Sequence, residues 1–156
     1  MIATNAACIT GDPQLAVVID DDATIREFIG TTLTQLGMKV GIFQMAKEAL
    51  ASLDNGHPVI IFLDVALLRS DAIDVLRGLG ERHYGGIVQL MSGGRPALLE
   101  AVQRLGVRHG IKLAVPLNKP FAREAIVQVV ASLRSPKALA QAGGEAAPGP
   151  PSAVGR

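Results

Sequence analysis

Four short polar clusters hold residue types suited to metal and phosphorus chemistry: Asp20-Asp21-Asp22, Asp64, Ser92, and Asn118-Lys119-Pro120. Each follows a short apolar run. If Asp20, Asp21 and Asp64 converge, their carboxylates repel one another unless a cation joins them. Hard oxygen donors with few other ligands suit Mg²⁺, which keeps several waters and accepts phosphate oxygens readily. Lys119 would add a point positive charge and Ser92 a hydroxyl, both useful beside a phosphoryl group. An aspartate between a metal and a lysine can act as a nucleophile toward phosphorus. Asp64 is the candidate for that role.

Taken singly, these residues have ordinary explanations. An acidic triplet before a helix serves as an N-cap with dipole-favoured neighbours. Ser92 before Gly93-Gly94 fits turn chemistry, and a lone lysine before proline is by default solvated. The glycine pair lacks the spacing of a phosphate-binding loop. Joint placement carries the argument, and that placement depends on the elements between the clusters.

Apolar runs at 15–19, 39–43, 59–63, 87–91 and 113–117 alternate with segments of helical period, the pattern of an α/β protein with a parallel sheet. The first helical segment shows Ile25, Phe28, Ile29, Leu33 and Leu36 on one face, with Asp22 as N-cap and Gly37 as a left-handed stop. Later segments are marked by Ala46, Ala49, Leu50 and Leu53; by Ile73, Leu76 and Leu79; by Leu98, Leu99, Val102 and Leu105; and by Ala125, Ile126, Val129 and Leu133. In such sheets ligands bind at the carboxyl ends of the strands, where the four clusters fall.

The 156 residues suffice for one domain, predicted over 14–134, after a flexible lead-in at 1–13 and before a disordered Ala/Gly/Pro-rich tail at 135–156. With 49% hydrophobic but only 3% aromatic residues, the core must be aliphatic. A formal net charge of +1 gives no broad electrostatic footprint for nucleic acid or an anionic membrane, so neither is expected as a partner. The single cysteine, Cys8, excludes a disulfide framework and points to a reducing cytoplasm. No apolar run approaches the ~20 residues of a membrane span, and His57, His83 and His109 lack metal-ligand spacing.

Over 15–134 the chain resembles the receiver domains of two-component response regulators. Asp20 and Asp21 match that family's metal-binding pair, Asp64 its phosphoacceptor, Ser92 its hydroxyl switch residue, and Lys119-Pro120-Phe121 its Lys-Pro-Phe signature. The resemblance implies a doubly wound, flavodoxin-like (βα)5 fold with strand order 2-1-3-4-5. It also implies Mg²⁺ held by Asp21, Asp64 and the backbone carbonyl of Ala66, with Asp20 beside them, and a cis Lys119-Pro120 peptide. The implied partners are a histidine kinase or phosphotransfer protein and a downstream protein target, the receiver being monomeric or dimerising on phosphorylation. It would be a signalling domain without enzymatic turnover.

Three departures from the family pattern involve four positions. Pro116 stands three residues before the lysine, where a Tyr or Phe usually swings inward. Leu68 replaces a loop proline after Asp64. Ala66 and Gly94, two beyond Asp64 and Ser92, are too small to shield a phosphoryl group, which implies a short-lived phosphoaspartate. The stretch 98–113 is similar to receivers fused elsewhere to EAL-type phosphodiesterase domains, and the expectation is a stand-alone receiver. A haloacid-dehalogenase-type phosphatase would need a second acid where Ala66 stands. A flavin-binding flavodoxin is disfavoured because its phosphate would meet an acidic loop. A phosphorylation-independent binding module draws support from Pro116 but leaves the cluster of carboxylates without a purpose.

Overall fold

The computed structural model describes residues 14–67 and 72–134. Leu68, Cys8, the lead-in and the tail therefore lie outside the described residues. The chain runs β1 (Leu15–Ile19), α1 (Ala23–Gln35), β2 (Lys39–Phe43), α2 (Ala46–Ser52), β3 (Ile60–Asp64), α3 (Ala72–Glu81), β4 (Ile87–Ser92), α4 (Pro96–Arg108), β5 (Lys112–Leu113), β6 (Leu117–Asn118) and α5 (Arg123–Leu133). The strands pair in parallel in the order β2-β1-β3-β4-β5, with β6 also on β4. The expected strand order and the five helices are both found.

A parallel sheet is covered on both faces, so its strands read as unbroken apolar runs rather than alternating ones. All of β3 is buried accordingly. Alternate residues supply two cores. Ala16, Val18, Ile60, Phe62 and Met91 pack with Ile29 and Leu33 of α1 and Ile126 and Val130 of α5. Val17, Ile19, Ile61, Leu63, Val88 and Leu90 pack with α2, α3 and Val102 of α4. On α3 the buried stripe is Val75, Leu76 and Leu79, with Ile73 only half-buried, so the helix is turned slightly from the face expected.

Asp22 caps α1, its Oδ1 accepting from the amides of Thr24 at 2.8 Å and Ile25 at 3.3 Å. The helix ends at Gly37, whose φ of 89° suits a residue without Cβ. These local signals place the acidic loop between the end of β1 and the start of α1.

The fifth strand differs from the continuous run expected over 113–117. Val88 pairs with Leu113 and Met91 with Leu117, so two residues on β4, Gln89 and Leu90, face three, Ala114, Val115 and Pro116. The extra residue is a bulge. Pro116 brings no N–H to a ladder, which confines it to such positions. Inside, the buried Gln89 side chain takes up part of the lost pairing: its Nε2 donates to Val115 O at 2.7 Å and to Leu90 O at 3.3 Å.

An amide buried among Phe62, Met91 and their neighbours is costly unless bonded, so Gln89 pins the bulge in one arrangement. Gln89→Met keeps the length of the side chain but deprives Val115 O of its donor. It should destabilise the domain by about 1–2 kcal/mol in urea unfolding and speed amide exchange at 114–118. An unchanged midpoint and unchanged exchange would show that the bulge needs no such pin.

Candidate functional site at the carboxyl ends of the strands

Strand order makes β1 and β3 neighbours, with Ile19 beside Leu63, so the next residue of each chain segment, Asp20 and Asp64, emerges at one edge. Both are buried, at 1% and 6% exposure. Ser92, at 2% exposure, ends β4 on the far side of Asp64, and Asn118 of β6 pairs with it. The backbone of Lys119 is tied to the same strand through its amide, which donates to Ser92 O at 2.8 Å. The Lys119-Pro120 peptide is cis, as expected.

The lysine ammonium lies between the two buried carboxylates. Its Nζ donates to Asp20 Oδ2 at 2.7 Å and forms an ion pair with Asp64 Oδ2 at 3.4 Å. The remaining oxygens are held by backbone. Asp20 Oδ1 accepts from Asp22 N at 2.9 Å, and Asp64 Oδ1 accepts from Ala66 N at 3.2 Å. Asp20, Asp64 and Lys119 are thus in direct contact, Asp21 is next in the same loop, Ser92 is joined through its carbonyl, and Ala66 meets Asp64 through its amide.

Burial pushes the Asp64 carboxyl above its ordinary value, and the neighbouring Asp20 charge pushes the same way. The Ala66 amide and Lys119 oppose this without cancelling it. For Lys119 burial acts downward, but the hydrogen bond and charge of Asp20, then the charge and hydrogen bond of Asp64, outweigh it and the net shift is upward. Lys119 is held toward its charged form, whereas for Asp64 the charged form is disfavoured and its repulsion with Asp20 only partly relieved.

That imbalance suits a divalent cation. Three aspartates against one lysine leave a net negative, all-oxygen site, the donor chemistry of Mg²⁺. Among the described residues no three acidic, histidine or cysteine side chains converge tightly enough to make a metal cage unaided. Mg²⁺ does not require one, since it is commonly held by one or two carboxylates with waters filling the octahedron.

Two further residues belong to this end of the fold and were not singled out by sequence reasoning. Gln89 supports the strand segment leading to Lys119. Arg26, in the first turns of α1, sends Nη1 back to donate to the carbonyls of Asp20 at 2.7 Å and Asp21 at 2.9 Å. The available signal was spacing: a cation one turn past the N-cap lies within reach of the loop before it.

A buried aspartate, an acidic loop and a bridging lysine thus meet at the strand ends of a 2-1-3-4-5 sheet. Residues 16–131 match the family model described as response regulator receiver domain, and the chain belongs to that family. It is 33% identical over 116 residues to response regulator MprA of Mycobacterium sp. (strain KMS), covering 74% of this chain and 48% of that one. It is 28% identical over 119 residues to the transcriptional regulatory protein CpxR of Escherichia coli (strain K12), covering 76% and 48%. The chain therefore spans about half the length of these curated relatives. Among solved structures, the receiver domain of NtrX from Brucella abortus superimposes with a TM-score of 0.65 at 25% identity, over 76% of this chain and 96% of that one. A CheY-like receiver domain protein from Methanospirillum hungatei JF-1 shares the fold, with a TM-score of 0.68 at 18% identity over 83% and 97%.

Receiver domains are signalling domains phosphorylated by histidine kinases, and the family generally binds Mg²⁺ at its acidic pocket. No helix among the described residues is long and apolar enough to cross a membrane.

The raised Asp64 pKa fixes a sign. The charged form is disfavoured on folding, so its cost is present at neutral pH, shrinks as pH falls through the raised folded-state value and is gone below the ordinary value of 3.8. Without metal at pH 7, Asp64→Asn should therefore raise the Tm, with the difference closing in acid. Millimolar Mg²⁺ should stabilise the parent more than the variant. A metal-free Asn variant melting below the parent would mean that the Lys119 ion pair outweighs burial.

Proposed function

We propose that Asp64 accepts a phosphoryl group from a histidine kinase or histidine phosphotransfer protein and that the chain signals by protein contact. The observation that carries this reading is the Lys119 ammonium held between Asp20 and Asp64 at 2.7 and 3.4 Å. An Asp64 oxygen attacks phosphorus in line, the bond from phosphorus to the donor imidazole nitrogen breaks, and the imidazole leaves with the bonding pair. Lys119 then trades its Asp64 partner for a phosphoryl oxygen, a short shift within the same cluster. Ser92, on the adjoining strand end, offers a hydroxyl to another oxygen. When bound, Mg²⁺ supplies charge neutralisation to the phosphoryl oxygens, with Asp21, Asp64 and the Ala66 carbonyl holding it and Asp20 beside them.

We place the receiver domain at 14–134. Relatives such as CpxR are transcriptional regulators by name, but a charge of +1 gives no reason to carry DNA binding over to this chain. Pro116 has no ring to turn inward, so an output surface around the fifth strand must be biased by an element other than an aromatic switch.

Beryllofluoride with Mg²⁺ should shift the amide resonances of the strand ends in the parent and leave Asp64→Asn unmoved. A parent that does not respond to beryllofluoride or acetyl phosphate would overturn the phosphoacceptor reading and favour a phosphorylation-independent module.

Small residues at 66 and 94 leave the acyl phosphate open to water. Ala66→Asn and Gly94→Asn, singly, should each lengthen the phosphoaspartate half-life several-fold, as measured by loss of ³²P from the labelled protein. Gly94 has a φ of 101°, a conformation asparagine tolerates better than most residues. A half-life unmoved by either change would mean that water enters elsewhere.

A further inference from the structure

Arg26 occupies an electrostatically odd place. It lies four residues past the N-cap Asp22, its own amide bonding Asp22 O at 3.0 Å, where the helix dipole disfavours a cation. Its half-buried guanidinium folds back onto the loop, Nη1 donating to Asp20 O at 2.7 Å and Asp21 O at 2.9 Å. These carbonyls belong to the two peptide groups on either side of Asp21 Cα. Holding both restricts the backbone dihedrals of Asp21, and with them the direction of its carboxylate. The same clamp presents the Asp22 amide to Asp20 Oδ1 at 2.9 Å.

Arg26 differs in this from Lys119. The lysine takes a carboxylate oxygen, Asp20 Oδ2, whereas Arg26 Nη1 takes two backbone carbonyls of the loop. It brings positive charge beneath the loop without occupying a metal-binding atom.

We infer that Arg26 is a positioning residue for the metal end of the site, its guanidinium setting the backbone of Asp20 and Asp21 so that their carboxylates present to a divalent cation. This rests on the reading of the acidic pocket as a Mg²⁺ site. Charge and geometry make opposite demands on Arg26. By charge alone, removing Arg26 tightens cation binding, because one repelling positive group is gone. By positioning, removing it weakens binding, by roughly ten- to hundred-fold where the groups that orient metal ligands are lost.

Mg²⁺ titration followed through the Asp22 amide resonance separates the two effects without involving phosphorylation. Arg26→Met should weaken the apparent Mg²⁺ affinity at least several-fold, and Arg26→Lys should fall between it and the parent, keeping the charge but not the planar donor. Arg26→Met binding Mg²⁺ as tightly as the parent, or more tightly, overturns the inference even if its Tm falls. Should Arg26→Met not fold, Arg26→Lys decides the matter: a weaker affinity supports positioning, and parental affinity overturns it. A parent whose Asp22 amide ignores Mg²⁺ overturns the pocket as a metal site. A parent that binds Mg²⁺ but not beryllofluoride overturns the phosphoacceptor reading and leaves the role of Arg26 standing.

Discussion

The repulsion between two carboxylates buried at adjacent strand ends is the constraint around which the top of this domain is built. Pairing β1 with β3 puts Asp20 and Asp64 side by side in a setting where water no longer screens them. Several nearby polar contacts answer that problem. Lys119 crosses from the β6 side to stand between them, and backbone amides of Asp22 and Ala66 take the outward oxygens. Asp64 still titrates high. The unresolved negative charge is what makes the pocket receptive to a cation and, through it, to phosphate.

Such a cluster costs stability, and the rest of the sheet supplies it. Phe62, Leu63, Leu90 and Met91, fully buried in the strands that end in the site, fix the positions from which the carboxylates and the hydroxyl project. Truncating residues of this kind costs about 2–5 kcal/mol each, so the strand ends have little freedom to drift. The acidic loop lacks that support from packing and is held by hydrogen bonds instead: the Asp22 cap in front, Arg26 beneath, and Asp20 N to Phe43 O at 3.2 Å behind.

Much of this was legible in the sequence. Continuous aliphatic runs separated by helical periods disclosed a doubly wound sheet, and the cap signals at Asp22 and Gly37 marked the bounds of α1. Polar residues at the ends of the runs named Asp20, Asp64, Ser92 and Lys119 before any geometry was known. The interrupted fifth strand was not legible, because an apolar stretch containing one proline reads the same whether the chain continues or bulges. Pairing with β4 decides that, through contacts far away in sequence. Gln89 was hidden for a related reason: one polar residue within an apolar run has no periodic signature, and its role depends on a carbonyl 26 positions away. Arg26 was masked by its helix, where an arginine is ordinarily surface charge.

The one-residue bulge also alters what equivalence means between this chain and its relatives. Counting back from Lys119, the position of the usual aromatic falls on Pro116. Counting forward from Leu113, whose partner on β4 is Val88, the same spatial level falls on Val115, which is 68% exposed. The two counts disagree by the inserted residue, so an alignment anchored on the lysine and one anchored on the sheet place their gap on opposite sides of the proline. Column identity and location are separate properties along this stretch. A side chain grafted here from a relative would therefore face inward or outward according to which anchor was used to choose its position.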